Sequence, residues 1–283
     1  MQANKMNKKL LNNVHYTLPQ IAKEHVDIAY KYFSSYKLAI DPCAGANVYI
    51  DELKKRGIRG LGFDIIPGRD DVSKMDLFEA SYGNIPIITN PPFSRTRGID
   101  VFNHLADHTI PYICFFWPIS IKKWSRIDRL NRHYHLVDEK EYWSGKNTKW
   151  FNSSYKSDQM NMVFQVWERR KELRELTPKP KDIIGQYIIK KEPGTPENDC
   201  KHRFVYLGYS CGKLQEVPSG ATHKHNTYWY LSPDTPQWIL DVLDTRSWRD
   251  FYRYTQFRTS RSVSKREVNS ILVAALRHTD GLS

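Results

Sequence analysis

Lys37-Leu38-Ala39-Ile40-Asp41-Pro42-Cys43-Ala44-Gly45-Ala46-Asn47 reads as a short strand that ends on an acid and opens into a glycine-bearing turn. A helical stretch follows, Val48 to Arg56, closed by Gly57, and a second strand runs from Ile58 to Phe63 and ends at Asp64. Strand, glycine turn, helix and strand in this order are the unit of a doubly wound, largely parallel sheet. At Gly45 the absent Cβ lets the backbone approach a ligand, and the helix that follows offers free N–H groups. The turn has neither the G-x-G-x-x-G spacing of a dinucleotide site nor the Lys-Ser/Thr of a phosphate loop. An acid, Asp41, stands at its mouth instead, which suits an ammonium group better than a pyrophosphate.

Working outward, Ile85-Pro86-Ile87-Ile88-Thr89 is an apolar run with strand character, and Asn90-Pro91-Pro92-Phe93 follows it directly. The two prolines lack an N–H and force extended backbone on the residue before them, so they stop the strand at its carboxyl end. Ligands of open α/β sheets bind at such ends. The knuckle presents an amide oxygen from Asn90, a carbonyl from Pro91 and the ring of Phe93. Two acceptors and a ring suit a planar amine; the plain alternative is a proline-stiffened turn.

Further periods fill in the sheet. Leu18 to Phe33 has helical spacing with Pro19 in its first turn. Arg97 to Asp107 reads as a helix, Tyr112 to Trp117 as a buried strand, and Ile121 to Arg132 as a basic helix. Tyr134 to Val137 and Asn161 to Trp167 read as closing strands. Trp143 to Asp158 lacks a period and reads as a mobile loop. From Glu168 to Asp182 the chain is charged, with Thr177-Pro178-Lys179-Pro180, and reads as a linker. Beyond it, Ile183 to Lys190, Arg203 to Tyr209 and Thr227 to Leu231 look like short strands, and Thr235 to Leu243 like a helix. The fold expected is therefore a Rossmann-like α/β domain over residues 1–172 and a smaller α+β domain over residues 183–283.

The chain has 283 residues, 40% hydrophobic, enough for a sizeable core. No apolar stretch reaches the roughly 18 residues of a membrane span, and the start, MQANKMNKKLLNN, lacks the apolar core of a signal peptide. No membrane partner is expected. The four cysteines are scattered and read as reduced thiols of a cytoplasmic protein. Cys200, His202, Cys211, His223 and His225 fit no standard zinc spacing, so no metal is expected. The formal net charge is +12, which points to a polyanionic partner. Between Arg246 and Arg266 seven basic residues face one acid, with Trp248, Phe251, Tyr252, Tyr254 and Phe257 among them. Guanidinium groups grip phosphates, while rings stack on bases or pack the core.

Three acids now fall in order. Asp41 suits an ammonium group. Asp64, at the end of the second strand, can bind two ribose hydroxyls. Asp76, in Asp76-Leu77-Phe78, can accept from an adenine amine. Ribose, adenine and a zwitterionic amino acid together describe S-adenosylmethionine.

At this point the chain resembles a known family. Tyr16-Thr17 with its following helix, Asp41-Pro42-Cys43-Ala44-Gly45-Ala46-Asn47, Phe63-Asp64, Asp76-Leu77-Phe78 and Asn90-Pro91-Pro92-Phe93 look like the ordered motifs of amino-methylating DNA methyltransferases. Their order is similar to the gamma arrangement of adenine-N6 enzymes, over residues 15 to 170. The first element here is Tyr-Thr-Leu-Pro rather than Tyr-Thr-Pro, and the turn has one glycine. The resemblance implies the methyltransferase fold, with the cofactor on Tyr16, Thr17, Asp41, Pro42, Gly45, Asn47, Asp64, Asp76, Leu77 and Asn90. It implies catalysis at Asn90, Pro91, Pro92 and Phe93. The adenine is flipped out of the duplex, Phe93 stacks on it, and the Asn90 and Pro91 oxygens accept its amine protons. It also implies a bacterial or phage protein working in the host cytoplasm, with DNA as substrate and a cognate restriction enzyme as a partner.

The residues leave other acceptors open: the N4 amine of cytosine, an RNA base, or a protein glutamine. A nucleic-acid-binding module without activity is the non-enzymatic alternative, against which the intact Asp41, Asp64 and Asn90 argue. For the DNA contacts the candidates are Arg95, Arg97, Lys122, Lys123 and Arg126 in the first domain. In the second they are Arg246, Arg249, Arg253, Arg258 and Arg261. A cleft between the two domains would then hold the DNA.

Overall fold

The structure is a computed structural model that describes residues 15–92, 97–144, 149–152, 160–196, 199–207, 210–222, 227–245 and 263–279. The chain divides into two compact units, Met1–Leu176 and Thr177–Ser283.

The first unit is built on a seven-stranded sheet. A two-residue strand β1 (Tyr16–Thr17) leads into helix α1 (Pro19–Phe33). The sheet then forms from β2 (Leu38–Asp41), β3 (Arg59–Asp64), β4 (Ser73–Lys74), β5 (Ile87–Thr89), β6 (Tyr112–Pro118), β7 (Tyr134–Tyr142) and β9 (Met162–Arg169). Helix α2 (Val48–Lys55) connects β2 to β3, and α3 (Arg97–Asp107) connects β5 to β6. Across the sheet the order is β4-β3-β2-β5-β6-β9-β7. The first five strands run parallel, while β9 pairs antiparallel with both β6 and β7. The order reverses between β2 and β5, and Asp41 and Asn90 stand at or just past the carboxyl ends of those two strands. That is the switch point at which open α/β sheets hold ligands.

The apolar runs explain the layers. The central parallel strands β2, β5 and β6 are largely buried, as crossover helices require. Ile88, Cys114, Phe116, Phe164 and Val166 pack under Ala22, Val26, Ala29 and Phe33 of α1 and Tyr49, Ile50 and Leu53 of α2. The β1 strand pairs antiparallel with β8 (Phe151–Asn152), which lays Tyr16 and Thr17 beside the switch point.

Three expectations are corrected. The basic helix foreseen over Ile121 to Arg132 is a 3₁₀ turn at Ile119–Lys122 and a single helical turn, α4 (Trp124–Ile127). The extended backbone of Lys123 separates them, with ψ 133°. Strand β7 continues past Val137 to Tyr142. Its charged stretch is tolerated because β7 is an edge strand. The run from Ile183 begins as a 3₁₀ turn over Ile184–Tyr187, not as a strand.

The second unit has a four-stranded antiparallel sheet in the order β10-β13-β11-β12. Its strands are β10 (Ile188–Ile189), β11 (His202–Val205), β12 (Leu214–Glu216) and β13 (Tyr228–Leu231). Helices α5 (Gln237–Thr245) and α6 (Lys265–Thr279) share its core through Ile239, Leu243, Val268 and Leu272. No helix among the described residues is long and apolar enough to cross a membrane.

Candidate active site

Asp41 is the deepest charge of the site, 1% exposed. Its Oδ1 accepts from the Thr89 hydroxyl at 2.6 Å and from the Cys43 backbone N–H at 3.0 Å. The first bond ties the end of β2 to the end of β5, and the second holds the turn that follows β2. They do not neutralise the carboxylate, and burial pushes its pKa up to about 7. Thr89, Cys43 and, repulsively, Asp64 are the neighbours that act on it. Among the described residues no cation pairs with this buried acid, and an ammonium group from a ligand would supply one.

Asn90 lies one residue beyond β5. Its Nδ2 donates to the His15 carbonyl at 2.7 Å and to Thr17 Oγ1 at 3.1 Å. A backbone carbonyl only accepts, so the amide orientation is fixed: Nδ2 faces β1. The other end, Oδ1, is buried with no hydrogen-bond partner among the described residues. An unmatched buried acceptor costs about 1–3 kcal/mol, so a donor is wanted at that point.

The glycine turn supports Asp64. Gly45 has φ +46°, and its N–H donates to Asp64 Oδ2 at 2.8 Å, while the Ile66 N–H donates to Oδ1 at 2.8 Å. Burial raises the Asp64 pKa and these backbone bonds act against the rise. Each carboxylate oxygen retains a lone pair, so two hydroxyls can still be bound. A side chain on Gly45 would meet the Tyr16 ring at 2.6 Å, so that ring lies directly over the turn. Asn47, in left-handed backbone at φ 63°, donates from Nδ2 to Asp71 at 3.1 Å, and its buried Oδ1 has no partner. Asp76 accepts from the Phe78 N–H at 3.0 Å, and Leu77 is buried.

Tyr16, Thr17, Asp41 and Asn90 therefore line one recess, about 240 Å³ with its open mouth included. Asp64 adjoins it through Gly45. Pro42, Gly45, Asn47, Asp64, Asp76 and Leu77 do not line it. Sequence reasoning missed His15, Cys43, Ala44, Ala46, Val48 and Tyr49, which complete the lining. It also missed Ile65, Ile66 and Met75, which leave apolar side chains exposed beside Asp64 and Asp76. Two isoleucines between a strand-ending acid and Pro67 were the signal available for the first two.

Pro42 and Pro91 are buried and Pro92 half-buried, with the start of α3 close to the Pro92 carbonyl. Phe93 and Arg95 lie outside the described residues, as do Arg246, Arg249, Arg253, Arg258 and Arg261, along with His223 and His225. Arg97 is exposed at the start of α3. Lys122 is half-buried. Its ammonium is held by Glu139 and Glu141 of β7 and is only 15% exposed, so its charge is already matched. Lys123 is half-buried. Arg126 donates to Ser120 Oγ at 2.6 Å, and burial lowers its pKa. Cys200 and Cys211 are buried, and no metal-binding group of His, Cys, Asp or Glu occurs among the described residues.

No family model matches the chain, and no curated protein matches it in sequence. Among solved structures it is similar to a candidate RNA methyltransferase from Pyrococcus horikoshii, at 13% identity and TM-score 0.43, over 57% of this chain and 89% of that one. It is similar to the modification subunit of a candidate type I restriction enzyme from Vibrio vulnificus, at 10% identity and TM-score 0.40, over 59% of this chain and 48% of that one. A candidate tRNA (m1A22) methyltransferase from Streptococcus pneumoniae, solved with S-adenosyl-L-methionine, is similar at 9% identity and TM-score 0.33, over 54% of this chain and 75% of that one.

Proposed function

We propose that the chain is an S-adenosylmethionine-dependent methyltransferase that modifies the N6 amine of adenine in DNA. The observation that carries this reading is Asn90 Oδ1, a buried acceptor without a donor at the carboxyl end of β5. It stands in the same recess as Asp41, a buried acid without a cation. A ligand that brings an ammonium group and a substrate that brings an amine satisfy both.

Bound there, S-adenosylmethionine supplies the methyl group. Asp41 holds the ammonium, Asp64 the ribose hydroxyls and Asp76 the adenine amine, with Ile65 and Ile66 as apolar walls. Asn90 Oδ1 and the Pro91 carbonyl accept the two protons of the target amine. That draws the nitrogen lone pair out of conjugation with its ring. The fixed amide needs no reorganisation as charge develops, and this preorganisation accounts for most of the acceleration. Phe93 stacks on the base. Arg97 and the arginines of 246–261 hold the phosphates.

The test is methyl transfer from labelled S-adenosylmethionine to duplex DNA, single-stranded DNA, RNA and protein, followed by nucleoside analysis. N6-methyladenine in DNA is expected. Label in cytosine, RNA or protein replaces the acceptor named here, and no transfer to any of them overturns the enzymatic reading.

A further inference from the structure

Residues 65–71, between β3 and β4, return to the glycine turn as a strap. Pro67 stiffens the strap by fixing its own φ. Gly68 brings it into contact with the turn, donating its N–H to the Gly45 carbonyl at 3.0 Å. A Cβ on Gly68 would stand 2.8 Å from that carbonyl oxygen and 3.4 Å from Tyr16 Oη. A Cβ on Gly45 would stand 2.6 Å from the Tyr16 ring. One glycine from the turn and one from the strap thus make a slot that needs bare backbone, and Tyr16, which lines the recess, lies against both.

The far end of the strap is closed by one side chain. Arg69 Nε and Nη2 donate to the two carboxylate oxygens of Asp71 at 2.9 and 2.8 Å, as a fork-to-fork pair. Its Nη1 reaches the other way, to Asp51 in the first turn of α2 and, at 3.3 Å, to the Ala46 carbonyl. Asp71 accepts in addition from Asn47 Nδ2 at 3.1 Å. A carboxylate only accepts, so Asn47 presents Nδ2 to it and turns Oδ1 onto Gly62, where a Cβ would be 2.4 Å away. Lys54 also faces Asp71, but at 4.0 Å it is too far for a hydrogen bond. Gly45, Ala46 and Asn47, successive residues of the turn, are each bonded to the strap.

We propose that Arg69 is a positioning residue of the cofactor site, a latch that holds the strap on the turn and so fixes Tyr16, Ile65 and Ile66 before the ligand arrives. The latch rests on the methyltransferase reading only for what the recess binds. Ile65 is 55% exposed and Ile66 37%, so burial of their own side chains does little to hold them. Their place is set by the chain on either side, Asp64 at one end and Arg69 at the other. A wall ordered in advance loses less entropy when the ligand binds. One exposed ion pair contributes little. Here a single planar guanidinium joins two carboxylates and a carbonyl, a geometry that lysine does not reproduce.

The experiment compares wild type, Arg69→Ala and Arg69→Lys as full chains. Without ligand, the Gly68 N–H should be protected from hydrogen exchange in wild type. In Arg69→Ala it should exchange about tenfold faster and the Tyr16 ring signals should shift, while protection in β2 and β5 stays as it was. The Kd and KM for S-adenosylmethionine should rise about fivefold, the size of two exposed ion pairs, with kcat at saturating cofactor unchanged. Arg69→Lys has the charge without the fork and should fall between the two. Unchanged Gly68 exchange overturns the latch. Faster exchange with unchanged cofactor affinity overturns the positioning role. Protection lost across the whole sheet, with a lowered urea midpoint, would make Arg69 a stability residue and overturns it too. A wild type that binds no S-adenosylmethionine removes the cofactor reading alone, and the Gly68 and Tyr16 signals still decide whether Arg69 sets the recess.

Discussion

Two side chains carry the proposed chemistry, and each makes a separate demand on solution conditions. Asp41 is buried and lacks a cation, with a pKa of about 7 in the free protein against an ordinary 3.8. Between those values the folded chain retains a proton that the unfolded chain releases. Ligand-free stability from this group is therefore greatest below about pH 4 and is lost as pH rises through 7. Asp41→Asn should raise stability at pH 8 on the order of 2 kcal/mol, read by urea unfolding, and should at the same time weaken cofactor binding. In wild type the ammonium partner needs the ionised acid. Affinity measured by calorimetry should level off above pH 7 and fall about tenfold per unit below it. Affinity that is flat from pH 5 to 8 would mean that Asp41 does not hold the ammonium. Asn90 makes a different demand. Asn90→Ala removes one acceptor and leaves the Asp41 and Asp64 contacts intact. Turnover should drop about a hundredfold or more while cofactor affinity is retained, and near wild-type transfer would remove Asn90 from the mechanism.

The turn between β2 and α2 shows how elements hold these side chains. Its residues are packed against β3 and β1 with no spare room. A Cβ on Gly62 of β3 would run into Asn47 Oδ1 and would come within 3.0 Å of the Ala44 Cβ. Gly62→Ala should therefore destabilise the first unit by about 1–3 kcal/mol and weaken cofactor binding, because the turn must shift to make space. Denaturant unfolding checks the first effect and calorimetry the second; unchanged values for both would show the turn to be pliable. Much of this was legible beforehand. Local rules govern the strand ends at Asp41, Asp64 and Asn90, where acids, glycine and proline punctuate apolar runs, and Arg97–Asp107 falls where its period put it. The departures arise from distant partners. Lys122 reads as a helix cation but is drawn to Glu139 and Glu141 of β7, seventeen and nineteen residues on. The Ile183 run looks like a strand, yet Asn269 Oδ1 of α6 accepts from the N–H groups of both Ile183 and Ile184 and holds a 3₁₀ turn there. Helix α6 had a readable start that went unused. Ser264 and Glu267 stand at capping-box spacing, and each side chain bonds the other's backbone N–H, at 2.6 and 3.3 Å.

At the scale of the whole chain, the proposed function gives the two units unlike tasks. The first holds every residue proposed to touch the cofactor, and some of its described cations are already paired. Lys122 is paired with two glutamates, Arg56 with Asp27 and Glu52, and Arg69 with Asp51 and Asp71. The net charge of +12 is carried by both units, and the densest run of cations is the Arg246 to Arg266 segment of the second unit. Seven cations against one acid repel each other unless phosphates relieve them. Arg266, at the end of that run, donates to the Thr177 carbonyl, so it serves structure within its own unit. Arg253, Arg258 and Arg261 are the better candidates for phosphate contacts, which position a duplex while base contacts select its sequence. Neutralising all three to Gln should weaken DNA binding across sequences and reduce the slope of log affinity against log salt by roughly one unit for each phosphate no longer neutralised. Fluorescence anisotropy over a salt series measures both. Unchanged affinity with an unchanged slope would assign these arginines to packing of the second unit, and the DNA contacts would then have to come from Arg97 and its neighbours in the first.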